Sequence, residues 1–153
     1  FGDAMGKLKQ YGLVQTIHDA IDAKKPFLGI CLGLQLLFES SEETEGVAGL
    51  GVLPGKILRI PDAPGIKIPH MGWNSLHINP NSRLFKDIPE NTYVYFVHSY
   101  YLQAGNPENV AATTEYSTLI HAAVEHDNIF ACQFHPEKSS TLGLRILDNF
   151  AKM

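Results

Sequence analysis

Apolar residues recur at Leu8, Tyr11, Leu13, Val14, Ile17 and Ile21. This mostly helical spacing predicts one helix from Asp3 to Lys24, with Asp3 able to cap it. Pro26 stops that helix. The run Pro26-Phe27-Leu28-Gly29-Ile30 is short, continuously apolar and bounded by punctuation, which suits a strand buried on both faces of a parallel sheet. From Leu32 to about Ser40 the helical pattern returns. Helix, buried strand and helix are the pieces of a doubly wound α/β domain.

From Gly51 to Phe134 the pattern changes to short β-prone runs separated by turns. Val52 to Ile60, Ser75 to Ile78, Tyr93 to Val97, Asn109 to Thr114, Thr118 to Val124 and Asn128 to Phe134 all qualify as strands. Seven of the nine prolines fall in or beside the connections, where a missing N–H does least harm. Leu142, Ile146, Leu147 and Phe150 restore helical spacing between Ser139 and Met153. There is no internal repeat, low-complexity tract or linker, so residues 1–153 are expected to form one domain.

Composition narrows the class. The chain is 44% hydrophobic and 18% charged, the balance of an ordinary globular core rather than a disordered or fibrous chain. No apolar run approaches the ~18 residues that span a bilayer, and the first residues lack the apolar stretch of a secretory signal. Neither membrane nor nucleic acid is an expected partner, because a formal charge of −4 supplies no basic surface for phosphates. Two cysteines, Cys31 and Cys132, are too few for a disulfide framework, and a reduced cytoplasmic compartment is the expectation.

The strongest chemical signal is Gly29-Ile30-Cys31-Leu32-Gly33, between the buried strand and the helix after it. It is the cysteine form of a nucleophile elbow, a sharp turn that brings the flanking glycines close together. The helix behind Cys31 favours the reactive thiolate, and the Leu32 N–H, next after the nucleophile, can donate to a developing oxyanion. The competing reading is a buried cysteine in a glycine-rich turn. A base is needed, and of seven histidines only His135 follows a buried-strand pattern with a carboxylate two residues on, in Gln133-Phe134-His135-Pro136-Glu137. Pro136 biases His135 toward an extended conformation, so Glu137 can orient the imidazole. His98, in Phe96-Val97-His98-Ser99-Tyr100, is the rival. It has no nearby acid and reads better as a strand-end histidine with a structural hydrogen bond. Cys132 reads as a core residue, and no metal-ligand spacing is present. The glycine run from Gly49 to Gly55 lacks phosphate-loop spacing and reads as a turn into a strand. Glu42, Glu43 and Glu45 form an acidic loop cluster beyond the elbow helix.

Gly29-Ile30-Cys31-Leu32-Gly33-Leu34-Gln35 followed far downstream by Gln133-Phe134-His135-Pro136-Glu137 resembles the signature of the class I glutamine amidotransferases. Pro69-His70-Met71-Gly72-Trp73-Asn74 and Tyr95-Phe96-Val97-His98-Ser99-Tyr100 narrow the resemblance to the glutaminase subunits of imidazole glycerol phosphate synthase, over essentially the whole chain. The resemblance implies an α/β, flavodoxin-like sheet with helices on both faces and an added β-rich region. It implies a Cys31–His135–Glu137 triad that hydrolyses glutamine through a thioester. Gln35, Glu43 and the backbone at Ser99 and Tyr100 would hold the glutamine, with Glu43 answering its ammonium. It also implies a (β/α)₈-barrel cyclase as partner in a heterodimer of histidine biosynthesis. That partner would face Trp73, Asn74, Tyr95 and Lys138 and receive the ammonia, with no cofactor. The plainer roles for those four are core aromatics, a turn asparagine and a solvated lysine.

Family members carry a further N-terminal β-α-β portion with a second oxyanion donor, ending just before the position of Phe1. The chain is therefore expected to be a truncated form, poorly soluble and with little or no glutaminase activity even in the presence of the cyclase. The alternatives are the amidotransferase domain of another biosynthetic synthase, a non-catalytic fragment that docks on the cyclase, and a free-standing cysteine hydrolase of the γ-glutamyl type.

Overall fold

In the computed structural model, which describes residues 1–153, the first predicted helix is two helices. These are α1 (Gly2–Gln10) and α2 (Leu13–Asp22). Gly12 separates them with a left-handed backbone, φ +66°, a conformation that costs glycine nothing and ends a helix sharply. Phe1 rather than Asp3 stands at the cap position of α1, and it makes no side-chain cap bond.

β1 (Phe27–Ile30) follows, and then α3 (Leu32–Gln35), a single turn where a longer helix was expected. The shortening has a tertiary cause. The carbonyls of residues 36–38 are taken by amides of residues 50–53: Leu50 N donates to Leu36 O, Val52 N and Leu53 N to Leu37 O, and Gly51 N to Phe38 O, at 2.8–3.2 Å. Leu37 and Phe38 are fully buried by this arrangement.

The β-rich region comprises β2 (Ser40–Ser41), β3 (Gly55–Arg59), β4 (His70–Ser75), β5 (His77–Ile78) and β6 (Tyr93–His98). It continues with β7 (Tyr100–Ala104), β8 (Val110–Tyr116), β9 (Thr118–His126) and β10 (Ile129–Cys132), before α4 (Ser140–Ala151) closes the chain. Every predicted run contains strand. β7 and most of β4 had no expectation; Pro69 and Gly72 had obscured the β4 pattern.

Three sheets result. One has the order β1-β10-β9-β8-β5, a second β2-β3-β7, and the third is the β4-β6 ribbon. β1 pairs in parallel with β10, as expected, and lies at the edge of a mixed sheet whose other pairings are antiparallel. Of its residues only Gly29 is buried. Helices do cover both faces. Along β10, Ile129 and Ala131 enter a core with Met5, Ile21 and Leu34, while Phe130 and Cys132 enter another with Ile146 of α4. That alternation is the period-2 signature of a strand between two layers. No helix is long and apolar enough to cross a membrane.

Candidate active site

Cys31 sits between β1 and α3 with φ 54° and ψ −107°. A non-glycine residue there is strained and persists only where its surroundings over-determine it. Its amide donates to Cys132 O at 2.8 Å, and its carbonyl accepts from Leu34 N at 3.1 Å. Gly29 permits the turn, since a Cβ on it would lie 2.7 Å from Gly33 O and 2.8 Å from Gly33 C. The two glycines do approach each other as the motif predicts, but only one is sterically required: a Cβ on Gly33 would meet nothing within 4 Å.

His135 follows β10 in extended conformation, φ −100° and ψ 99°, ahead of a 3₁₀ turn at Pro136–Lys138. Its Nδ1 and Glu137 Oε1 are 3.0 Å apart, so the structure joins the predicted base to the predicted orienting carboxylate. The loop is stitched to β6: His135 N donates to Tyr95 O at 3.0 Å, Tyr95 N to Ser139 Oγ at 3.0 Å, and Ser139 Oγ to His135 O at 2.6 Å. The Cys31 thiol, for its part, donates to Val97 O at 4.0 Å and accepts from Gln133 Nε2 at 3.7 Å. His135 makes no hydrogen bond to the sulfur.

The thiol is not the preactivated thiolate that the motif suggests. Burial raises the Cys31 pKa above its ordinary value and outweighs the opposing Leu32 N–H and Gln133 amide; the Glu137 charge raises it further, against Lys138. A one-turn α3 has little macrodipole with which to offset that desolvation. The resting sulfur is therefore a neutral thiol that must lose its proton to a base during reaction. Cys132 is fully buried, as a core residue should be, and desolvation drives its thiol far from ionisation.

His98 ends β6, where its Nδ1 donates to Tyr100 O at 2.8 Å, the structural bond expected of it. Because a carbonyl only accepts, Nδ1 must carry the proton and Nε2 must accept. Its donor is His70 Nδ1, 3.0 Å away, on the β4 residue paired with His98. His70 is stacked between Phe96 and Tyr116, with centroids 4.7 and 3.9 Å apart. Burial lowers both histidine pKa values to about 4, with the His98 neighbour a further cause at His70, so both rings are neutral at pH 7. The pairing of His70 with His98 was not anticipated, and neither was a role for Gln133. The signal for Gln133 was available: a carboxamide inside the apolar run Ile129–Phe134 must find partners when buried.

Gln35 is buried beside the nucleophile, its Nε2 donating to Tyr100 O at 3.1 Å and to Gln133 Oε1 at 3.0 Å. Ser99 O accepts from Ile60 N at 2.9 Å. The carbonyls at Ser99 and Tyr100 are thus committed within the protein. Glu43 lies exposed in the loop after β2. Trp73 and Tyr95 are directly opposed on the β4–β6 ribbon and meet edge to face at 6.0 Å. Trp73 is 51% exposed and Met71 62%, so the core reading of Trp73 is corrected to a surface one. Asn74 is in β4 rather than a turn, donating to Glu115 O at 2.8 Å. Lys138 is exposed.

A cavity of about 770 Å³ lies between α4 and the 82–87 loop and contains none of these residues. Its lining is mostly charged and already paired, as in Arg145–Asp87 and Lys152–Asp148. No group of three or more His, Cys, Asp or Glu side chains is placed to hold a metal ion.

A model of the family "Glutamine amidotransferase class-I" matches residues 5–153. The chain is 50% identical, over 153 residues, to the imidazole glycerol phosphate synthase subunit HisH of Moorella thermoacetica, covering 100% of this chain and 72% of that protein. It is 51% identical to the protein of the same name from Synechocystis, covering 99% and 73%. Among solved structures, a glutamine amidotransferase from Thermotoga maritima aligns with TM-score 0.61 at 21% identity, covering 95% of this chain and 55% of that one. A second glutamine amidotransferase aligns with TM-score 0.67 at 18% identity, covering 94% and 71%. At those identities the structural matches speak to fold alone.

Proposed function

The chain belongs to the class-I glutamine amidotransferases and, within them, to the HisH subunits of imidazole glycerol phosphate synthase, and on that footing we propose that it frees ammonia from glutamine at Cys31 for a cyclase partner. The supporting observations are the strained Cys31 elbow and a His135–Glu137 pair whose Nδ1 and Oε1 lie 3.0 Å apart, with the Glu137 charge felt at Cys31. Cys31 Sγ adds to the side-chain amide carbon as His135 Nε2 takes the thiol proton. Leu32 N–H, the first amide of α3, donates to the oxygen that gains charge. His135 then returns the proton to the departing nitrogen, releasing ammonia and leaving a glutamyl thioester. Water, deprotonated by the same imidazole, cleaves the thioester to glutamate and restores the thiol. Glu137 keeps Nδ1 protonated so that Nε2 is the working nitrogen.

Glutamine is held beside Gln35, with Glu43 answering its ammonium and the Ser99–Tyr100 segment bordering its side chain. The acceptor is the cyclase barrel, docked over the aromatic pair of exposed Trp73 and half-buried Tyr95 with Asn74 and Lys138 at its margin. A large aromatic left at the surface is the usual anchor of such a contact. The reading is tested with a glutamine analogue carrying an electrophile at the side-chain carbonyl position, followed by peptide mass spectrometry. Label confined to Cys31, and absent from Cys31→Ala, is the expected result. Label on Cys132, or glutamate release by Cys31→Ala, refutes it.

A further inference from the structure

Two amide side chains and one carbonyl form a directed line into the nucleophile. Tyr100 O can only accept, and it does so twice, from His98 Nδ1 at 2.8 Å and Gln35 Nε2 at 3.1 Å. That fixes which end of the Gln35 carboxamide carries its hydrogens, since an oxygen facing Tyr100 O would be repelled. The second hydrogen of Gln35 Nε2 goes to Gln133 Oε1 at 3.0 Å. With its oxygen committed to Gln35, Gln133 has only its NH₂ left to present on the other side, and Nε2 lies 3.7 Å from Cys31 Sγ. Gln133 is wholly buried, so no water competes for its donor. Each amide orientation follows from the one before it, and the origin is a backbone carbonyl that no side-chain motion can turn.

We propose that Gln133 is a dedicated N–H donor to the Cys31 sulfur, aimed by Tyr100 O through Gln35, which stabilises the thiolate as the proton leaves. The role rests on the reading of Cys31 as the nucleophile. It gives Gln35 a second task besides bordering the substrate. It also accounts for a polar residue in an otherwise apolar stretch of β10 and its extension. A hydrogen bond offered to the charged form favours that form, and the Gln133 amide acts on the thiol in this direction, against burial.

The test is the rate of carboxamidomethylation of Cys31 by iodoacetamide at pH 7.5, with modified sites read by mass spectrometry. Gln133→Met keeps the volume and removes the donor. Loss of the bond raises the thiol pKa, and each unit is a tenfold fall in thiolate, so the rate is expected to drop about tenfold in a variant whose circular dichroism remains native. A role in packing alone predicts the reverse, since a loosened site exposes the sulfur and speeds the reaction. An unchanged or faster rate overturns the proposal. In the unaltered protein, the Gln133 side-chain amide protons are expected to shift by NMR with the same pH midpoint as Cys31 alkylation. Amide protons indifferent to that titration overturn the proposal without any variant having to fold. A Cys31 that resists the reagent in the unaltered protein at every pH overturns the nucleophile reading itself, which separates the two failures.

Discussion

Replacing Gly29 with alanine puts a methyl group where the elbow has no room. The new Cβ would sit 2.7 Å from Gly33 O, 2.8 Å from Gly33 C and 3.1 Å from Leu34 N. All three are backbone atoms, so no rotamer relieves the clash, and the first turn of α3 must move by several tenths of an ångström. Overpacking of this kind costs about 1–3 kcal/mol. Loss of unfolded-state freedom on changing glycine to alanine returns about 0.4–1 kcal/mol, leaving a net destabilisation of up to roughly 2.6 kcal/mol. For a chain of this size that is a fall in Tm of up to about 10 °C. The effect on chemistry is larger, because displacing a nucleophile by ~1 Å can cost ~100-fold in rate. Gly33→Ala is the control: its Cβ meets nothing within 4 Å, and it lies within α3. There alanine should add up to ~1 kcal/mol of stability and leave the Cys31 backbone undisturbed. Thermal unfolding by circular dichroism and glutamate release by the full enzyme measure the two effects. Equal behaviour of the two variants, or a Gly29→Ala protein with native Tm and rate, would show that the elbow is not held by this contact.

Other outcomes can be stated briefly. His135→Asn should lower glutamate release by at least ~100-fold, while Glu137→Gln, which leaves the base in place, should cost less; the opposite order would remove His135 from its role. The His70–His98 pair makes stability acid-sensitive. Both folded pKa values are depressed to about 4, below the unfolded ~6.5, so the unfolded chain binds protons first. The pair's contribution is complete above about pH 6.5 and is lost as pH falls toward 4. The urea midpoint should fall over that window, and fall less in His70→Gln; a flat midpoint is the contrary result. Cys132→Ala removes a fully buried sulfur and should cost about 1 kcal/mol in urea unfolding, with activity kept. Trp73→Ala should change stability by no more than ~0.5 kcal/mol yet weaken cyclase binding by ~2 kcal/mol or more in calorimetry. A loss confined to stability would return Trp73 to the core.

The sequence made the chemistry-bearing motifs legible because each is local: Gly29 to Gly33 is one turn, and Glu137 follows His135 by two positions. Strands were legible where apolar residues are continuous, as from Ile129 to Phe134. The length of α3 was not, since Leu36 to Phe38 have good helical character and lose their helix to amides 13–16 residues downstream. His70 and His98 are 28 residues apart and meet only through the register of β4 on β6. The neutral state of Cys31 depends on how deeply the elbow is buried, which no motif encodes. Local chemistry can be read from spacing; protonation and partnership come from packing.

β6 works as a gauge. One of its edges pairs with β4, and along the other Tyr95 O holds the amide of His135 while Val97 O faces the sulfur of Cys31. Two residues of strand, about 6.6 Å, therefore separate the anchor of the base from that of the nucleophile, and the marks on the gauge are carbonyl oxygens. Side-chain substitution along β6 cannot move those marks, whereas one inserted residue between Tyr95 and Val97 would turn one of them to the opposite edge. The strand is thus tolerant of changed composition and intolerant of changed length.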